Sequence, residues 1–186
     1  MHFRISASVW HDGNVRKMTM RLGYINLTDG DELDKCLSRL VKLFEEAGMK
    51  PSGALHAPYK GPNRSKCDMD LQILPDGPVF RISQNLGELA TGCRLDSAAL
   101  EAATTEAAAR SDGASVLIVN KFGKHEAEGR GFVSMIIDAM ERDIPVVIGV
   151  NKLNLEAFLS FTDGCAEILP ADPNYIVNWV TAEAVH

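Results

Sequence analysis

Two short apolar runs, Val116–Val119 (VLIV) and Pro145–Val150 (PVVIGV), constrain this chain more than any other feature. A strand with one face in water alternates apolar and polar residues, so an uninterrupted apolar strand is one covered on both faces. Between the two runs, Phe132, Met135, Ile136, Ala139 and Met140 recur at helical spacing. The same alternation holds upstream. Leu22–Leu27 reads as a buried strand, and Leu33, Cys36, Leu37, Leu40, Phe44 and Ala47 mark an amphipathic helix that Gly48 and Pro51 stop. A short strand follows at 53–57. Met69, Leu71 and Ile73, then Val79, Phe80 and Ile82, flank the turn PDGP and predict a β-hairpin. Asp96 is placed to cap an alanine-rich helix over 97–110, and helices near 155–161 and 173–183 close the chain. Strands and helices in this order predict an α/β fold: a mostly parallel sheet flanked by helices in three layers, with the hairpin as an insertion.

The chain has 186 residues, of which 46% are hydrophobic and 24% charged, as in ordinary globular domains. That length and the absence of any linker or repeat predict one domain over 20–186, with 1–19 as an N-terminal extension. Net charge is −6, which leaves no electrostatic footprint for nucleic acid or an anionic membrane surface. No apolar run reaches the ~20 residues of a membrane helix or the roughly 7–15 of a signal peptide, so the expected location is cytoplasmic. Of the four cysteines, Cys36 falls on the apolar stripe of the first helix and is expected in the core.

Ligands of open α/β sheets bind beyond the carboxyl ends of the strands. That rule selects Thr28, Asp29 and Asp31; His56; Gln84 to Arg94; Asn120 to Glu128; and Asn151 with Lys152. A phosphate cradle at the first strand–helix turn needs several glycines and a Lys-Ser/Thr pair. The sequence there is NLTDGDELDKCL (26–37), with one glycine and a crowd of acids that suits a helix cap instead. A triphosphate hydrolase also needs a carboxylate for magnesium at the end of an inner strand. Here that strand ends in Asn120 and Lys121. GVNKLN (149–154) has the shape of a guanine-reading N-K-x-D motif, but Asn154 stands where the aspartate would.

The stretches SQNLGELATGCRLD (83–96), VLIVNKFGKHEAEGRGF (116–132) and IPVVIGV (144–150) resemble an uncharacterised bacterial domain-of-unknown-function family of degenerate P-loop-type proteins. Some of its members are labelled as molybdate-transport associated. The family is in turn similar to small P-loop nucleoside-triphosphatases, in which Asp and Glu occupy the positions of Asn120 and Lys121. The resemblance spans about residues 20–181. It implies a P-loop nucleoside-triphosphatase-like fold with altered Walker motifs and a site at the strand ends.

These readings predict a domain that binds a small anionic ligand (a nucleotide or an oxyanion) or a partner protein without hydrolysis. The sequence identifies no cofactor, catalytic residue or oligomeric state. The expected site residues are Cys93, Arg94, Asp96, Asn120, Lys121, Lys124, His125, Glu126 and Arg130. Lys124 and Arg130 would place an anion at the N-terminus of a helix over 131–142. The plain alternative is an ion-pair network within the loop. Arg94 and Asp96 would order the 86–95 loop. Two other functions stay open: a nucleoside-triphosphatase or phosphotransferase with an unconventional phosphate loop, and a metal-handling protein using Cys67 and Cys93.

Overall fold

A computed structural model describes residues 21–57, 69–84 and 94–182. The proposed extension 1–19 and the cysteines Cys67 and Cys93 lie outside them.

The first strand, β1 (Leu22–Asn26), leads through three residues into α1 (Gly30–Glu46). Asp29 caps this helix: its carboxylate accepts from the amides of Asp31 at 2.8 Å and Glu32 at 3.3 Å. Leu33, Leu37, Leu40 and Phe44 are buried along one face, each contributing roughly 1.5–3 kcal/mol of burial. The helix ends before Gly48, whose φ of 72° is a conformation that favours glycine. Strand β2 (Pro51–His56) follows, two residues longer at its start than the sequence pattern suggests, because Pro51 joins the ladder opposite Val116.

The hairpin forms as expected. β3 (Asp70–Leu74) pairs antiparallel with β2 and with β4 (Val79–Arg81) across the PDGP turn. β5 (Ser83–Gln84) and β6 (Arg94–Leu95) make a separate two-stranded ladder. Asp96 then caps α2 (Ser97–Ala109) by accepting from the Ala99 amide at 3.0 Å.

β7 (Val116–Val119) is buried along its whole length, as is β8 (Val146–Val150). Between them lie α3 (Lys124–Ala127) and α4 (Val133–Glu141). The sequence pattern showed only a polar loop where α3 stands, since a single turn is too short to display a period. α5 (Leu155–Phe161), β9 (Glu167–Ile168) and α6 (Pro173–Thr181) complete the chain. The sheet order is β4-β3-β2-β7-β8-β1-β9; the last four pairings, from β2–β7 to β1–β9, are parallel.

Two separate cores cover the two faces. Side chains of α1 and α6 pack on one, around Ile25, Ile118 and Val147; those of α2, α4 and α5 pack on the other, around Leu117, Val119 and Ile148. β1 and β8 are neighbours, yet the helix after β1 packs on one face and that after β8 on the other. The sheet therefore reverses its winding between them, and a crevice opens at their carboxyl ends. Among the described residues no helix is long and apolar enough to cross a membrane.

Candidate functional site

A pocket of about 540 Å³ occupies this carboxyl edge. Leu33, Ala54, Leu71, Leu100, Val119 and Phe132 give it an apolar floor. Polar groups arrive from separate elements: Asp34 from α1, His56 from β2, Asn120 and Lys121 from the end of β7, Lys124 and Glu126 from α3, and Asn151 and Asn154 after β8. Leu153, 88% exposed, stands at its rim.

Three of these residues form one hydrogen-bonded unit. His56 Nδ1 lies 2.6 Å from Asp34 Oδ2. The other carboxylate oxygen, Asp34 Oδ1, accepts from Asn120 Nδ2 at 3.3 Å. Asp34 and His56 are about three-quarters buried. Asn120 is buried, and its Oδ1 has no partner among the described residues. The amide is correctly oriented, since turning it would set its oxygen against the carboxylate. A buried acceptor without a partner costs about 1–3 kcal/mol.

The turn where a phosphate cradle would sit holds only Leu27, Thr28 and Asp29. Its helix-terminal amides serve the Asp29 carboxylate. The second helix terminus near the pocket is engaged as well. The Phe132 amide donates to Glu126 Oε1 at 3.3 Å, and the Gly131 amide to Glu101 Oε1 at 3.2 Å. Gly131 has a φ of 59°, and any Cβ there would run into the Glu126 carboxylate. Burial raises the Glu126 pKa above the usual range, against hydrogen bonds from Gly123 and Phe132 that lower it.

The model of a family described as "Protein of unknown function (DUF2478)" matches residues 22–179. The chain belongs to the DUF2478 family. It is also similar to "Molybdenum import ATP-binding protein ModC 2" of Bradyrhizobium diazoefficiens (strain USDA 110), with 31% identity over 150 residues. That match covers 80% of this chain but only 17% of the relative's length. Among solved structures, a human cancer-related nucleoside triphosphatase aligns with a TM-score of 0.61 and 12% identity, covering 88% of this chain and 99% of its own. THEP1 from the hyperthermophile Aquifex aeolicus aligns with a TM-score of 0.52 and 12% identity, covering 84% of this chain and 94% of its own. The DUF2478 chain thus has the fold of small P-loop nucleoside-triphosphatases, as the sequence resemblance implied.

The residues expected from sequence divide into groups. Asn120, Lys121, Lys124 and Glu126 line the pocket together. Arg130 is engaged instead with Glu128, and Lys124 reaches the same carboxylate at 3.8 Å. The hydrogen bond from Arg130 holds the Glu128 carboxyl below its ordinary pKa. This is the intraloop network that stood as the alternative to an anion site. The helix after it begins at Val133, two residues later than expected, and the Gly131 and Phe132 amides just before it face carboxylates. His125 approaches Ser97 Oγ at 3.5 Å, and its Nδ1 has no partner among the described residues. Asp96 serves as a helix cap. Arg94 is placed by its backbone in β6, and Cys93 lies outside the described residues. Among the described residues, no three potential ligands gather to hold a metal ion.

Sequence reasoning passed over the importance of Asp34, which it read only as one of several acids opening α1. Its signal was positional. Asp34 sits between Leu33 and Leu37 at the border of the buried stripe, where a carboxylate needs a partner.

Proposed function

We propose that this domain binds an organic anion of the nucleotide class in the strand-end pocket and does not cleave its phosphoanhydride bonds. The carrying observation is the pocket itself, an apolar floor of ring-binding size under a polar rim that includes Lys121, Lys124 and His56. Sites for small organic ligands have this composition and measure roughly 300–1,000 Å³. A bare tetrahedral oxyanion fills only a few water volumes, under about 100 Å³, and has no use for the floor. Size therefore favours a nucleotide over molybdate alone, although the name of the similar ModC protein joins ATP binding to molybdenum import.

The non-hydrolysing half rests on two features. The three-residue turn after β1 spends its amides on Asp29, and β7 ends in an amide, Asn120, where magnesium chemistry uses a carboxylate. A second reading, a nucleoside-triphosphatase or phosphotransferase with an unconventional phosphate loop, draws support from the His56–Asp34 contact at 2.6 Å, because such couples transfer protons.

A thermal-shift series with ATP, ADP, GTP and molybdate, with and without Mg²⁺, separates these readings. A nucleotide at 100 times its Kd stabilises by about 2.7 kcal/mol. The expected result is a nucleotide-dependent shift without phosphate release. Release of phosphate selects the second reading; no shift with any nucleotide removes both.

A further inference from the structure

We infer that Leu153, in the turn after β8, is the apolar cover for the ring of the pocket's ligand, so that a flat heteroaromatic group is held between this side chain and the pocket floor. This rests on the nucleotide-class reading above and adds to it the place of the ring.

Leu153 is the most exposed large apolar side chain among the described residues. The others, Val79, Leu159, Ile168 and Tyr175, do not line the pocket, whereas Leu153 does. A single exposed leucine is ordinary on a protein surface. Two observations set this one apart. It borders a concave site with an apolar floor that includes Leu33, Leu100 and Phe132, and the backbone that carries it is fixed on both sides.

Lys152–Asn154 form a single 3₁₀ turn with no buried residue. The Asn154 amide donates to Asn151 Oδ1 at 3.0 Å, and Asn154 Nδ2 donates to the Phe122 carbonyl at 3.0 Å. Directly after the turn, Leu155 packs against the core, and the Phe158 ring lies 5.1 Å from that of Phe122. Turning Leu153 inward would break these contacts, so its exposure is imposed by the turn. The two asparagines of GVNKLN thus hold the turn together, and the apolar group that the turn sets at the pocket rim is Leu153.

An apolar side chain held in water beside an apolar floor gains when a ring covers both, through area removed from water and through dispersion. A bare oxyanion offers no such surface. A flat heterocycle does, and its polar edge can still meet the polar groups of the rim. The contact is made by the leucine's surface alone, so it needs size and apolarity at this position and no charge.

The test is titration calorimetry of ADP at 20 °C on the wild type, Leu153→Ser and Leu153→Met, at low and high salt. Both variants should melt where the wild type does, because surface substitutions away from buried features change stability little. Leu153→Ser should weaken ADP binding by about fivefold, as expected for losing part of a leucine's apolar contact. Leu153→Met should stay within about twofold of the wild type, since it keeps the apolar surface. The loss in Leu153→Ser should be the same at both salt concentrations, unlike a loss of charge attraction. Sedimentation velocity of the wild type and Leu153→Ser reads the competing occupant, a second copy of this chain. Equal ADP affinity in wild type and Leu153→Ser overturns the inference while leaving nucleotide binding intact. So does an equal loss in Leu153→Met, a loss that shrinks in salt, or self-association that Leu153→Ser abolishes. Absence of ADP binding to the wild type overturns the inference and the underlying reading together.

Discussion

Glu126 ties the amide of Phe132, six residues further on, to the start of its own short helix. Its Oε1 accepts from Phe132 at 3.3 Å while Oε2 accepts from Gly123 at 2.9 Å. One buried carboxyl thereby closes the segment that carries Lys124 and borders the pocket.

Burial raises the pKa of this carboxyl from its ordinary 4.5. The folded state therefore holds its proton more tightly than the unfolded chain does. The stabilising contribution is complete below about pH 4.5 and is lost as pH rises through the raised folded value. Glu126→Gln removes that proton linkage, and one of the two amides then faces an NH₂ group. The expected outcome of urea melts between pH 4 and pH 8 is a flatter stability profile for the variant, with a cost of about 1–3 kcal/mol at its low-pH end. A profile parallel to that of the wild type would show that Glu126 is not titrating in this range.

The cap of α1 offers a cleaner measurement. Asp29 accepts from two first-turn amides and lies in the turn where triphosphatases of this fold carry their phosphate loop. Asp29→Ala should cost about 1 kcal/mol in urea denaturation, seen as a melting point lower by roughly 2–4 °C. Nucleotide affinity should stay within about twofold of wild type, because the cap faces its own helix. A large loss of affinity would place the ligand at this turn after all.

How far the sequence reveals this molecule depends on the length scale of each signal. The parallel sheet was legible because β7 and β8 are wholly apolar and α1 and α4 each repeat over two or more turns. β9 was not, because Glu167 and Ile168 are both exposed and pair only at the sheet edge. The strand-end rule selects Asn120, Lys121, Lys124 and Glu126, and these four line one pocket. The coupling of Asp34 to His56, 22 residues apart, is set by how α1 lies across β2, and no local pattern encodes it. The pairing of Arg130 with Glu128 was not legible either, since a sequence shows which charges are near but not which are paired.

That pairing separates two kinds of cation in one loop. Arg130 is bonded to Glu128 and is absent from the pocket lining among the described residues, whereas Lys121 lines it. Arg130→Ala should leave ADP affinity within about twofold and change stability by less than about 1 kcal/mol, as exposed ion pairs do. Lys121→Ala should weaken ADP binding by about threefold to tenfold at low ionic strength, with the difference shrinking in salt. Calorimetry at two salt concentrations checks both. The reverse ranking would return the anion to the start of α4.

The pocket floor can be tested through a residue that never touches a ligand. Gly149 in β8 lies under the backbone of Asn120: an added Cβ would collide with the Asn120 carbonyl oxygen and come within 2.9 Å of Leu33. The Phe122 amide donates to the Gly149 carbonyl at 2.8 Å, so the strand cannot move away without breaking the start of the next loop. Gly149→Ala should cost about 1–3 kcal/mol, the range for overpacking. It should also weaken nucleotide binding at temperatures where the protein remains folded, because Asn120 and with it Asp34 are displaced. Gly30→Ala is the matched control for stability alone, because Gly30 itself lines the pocket. It lies in the first turn of α1 with nothing within 4 Å of the added methyl group, and its stability should be unchanged or higher by up to about 1 kcal/mol. Calorimetric unfolding with ADP titration at 20 °C reads both effects. If Gly149→Ala loses stability yet binds ADP as tightly as the wild type, the ligand does not depend on the Asn120–Asp34 connection.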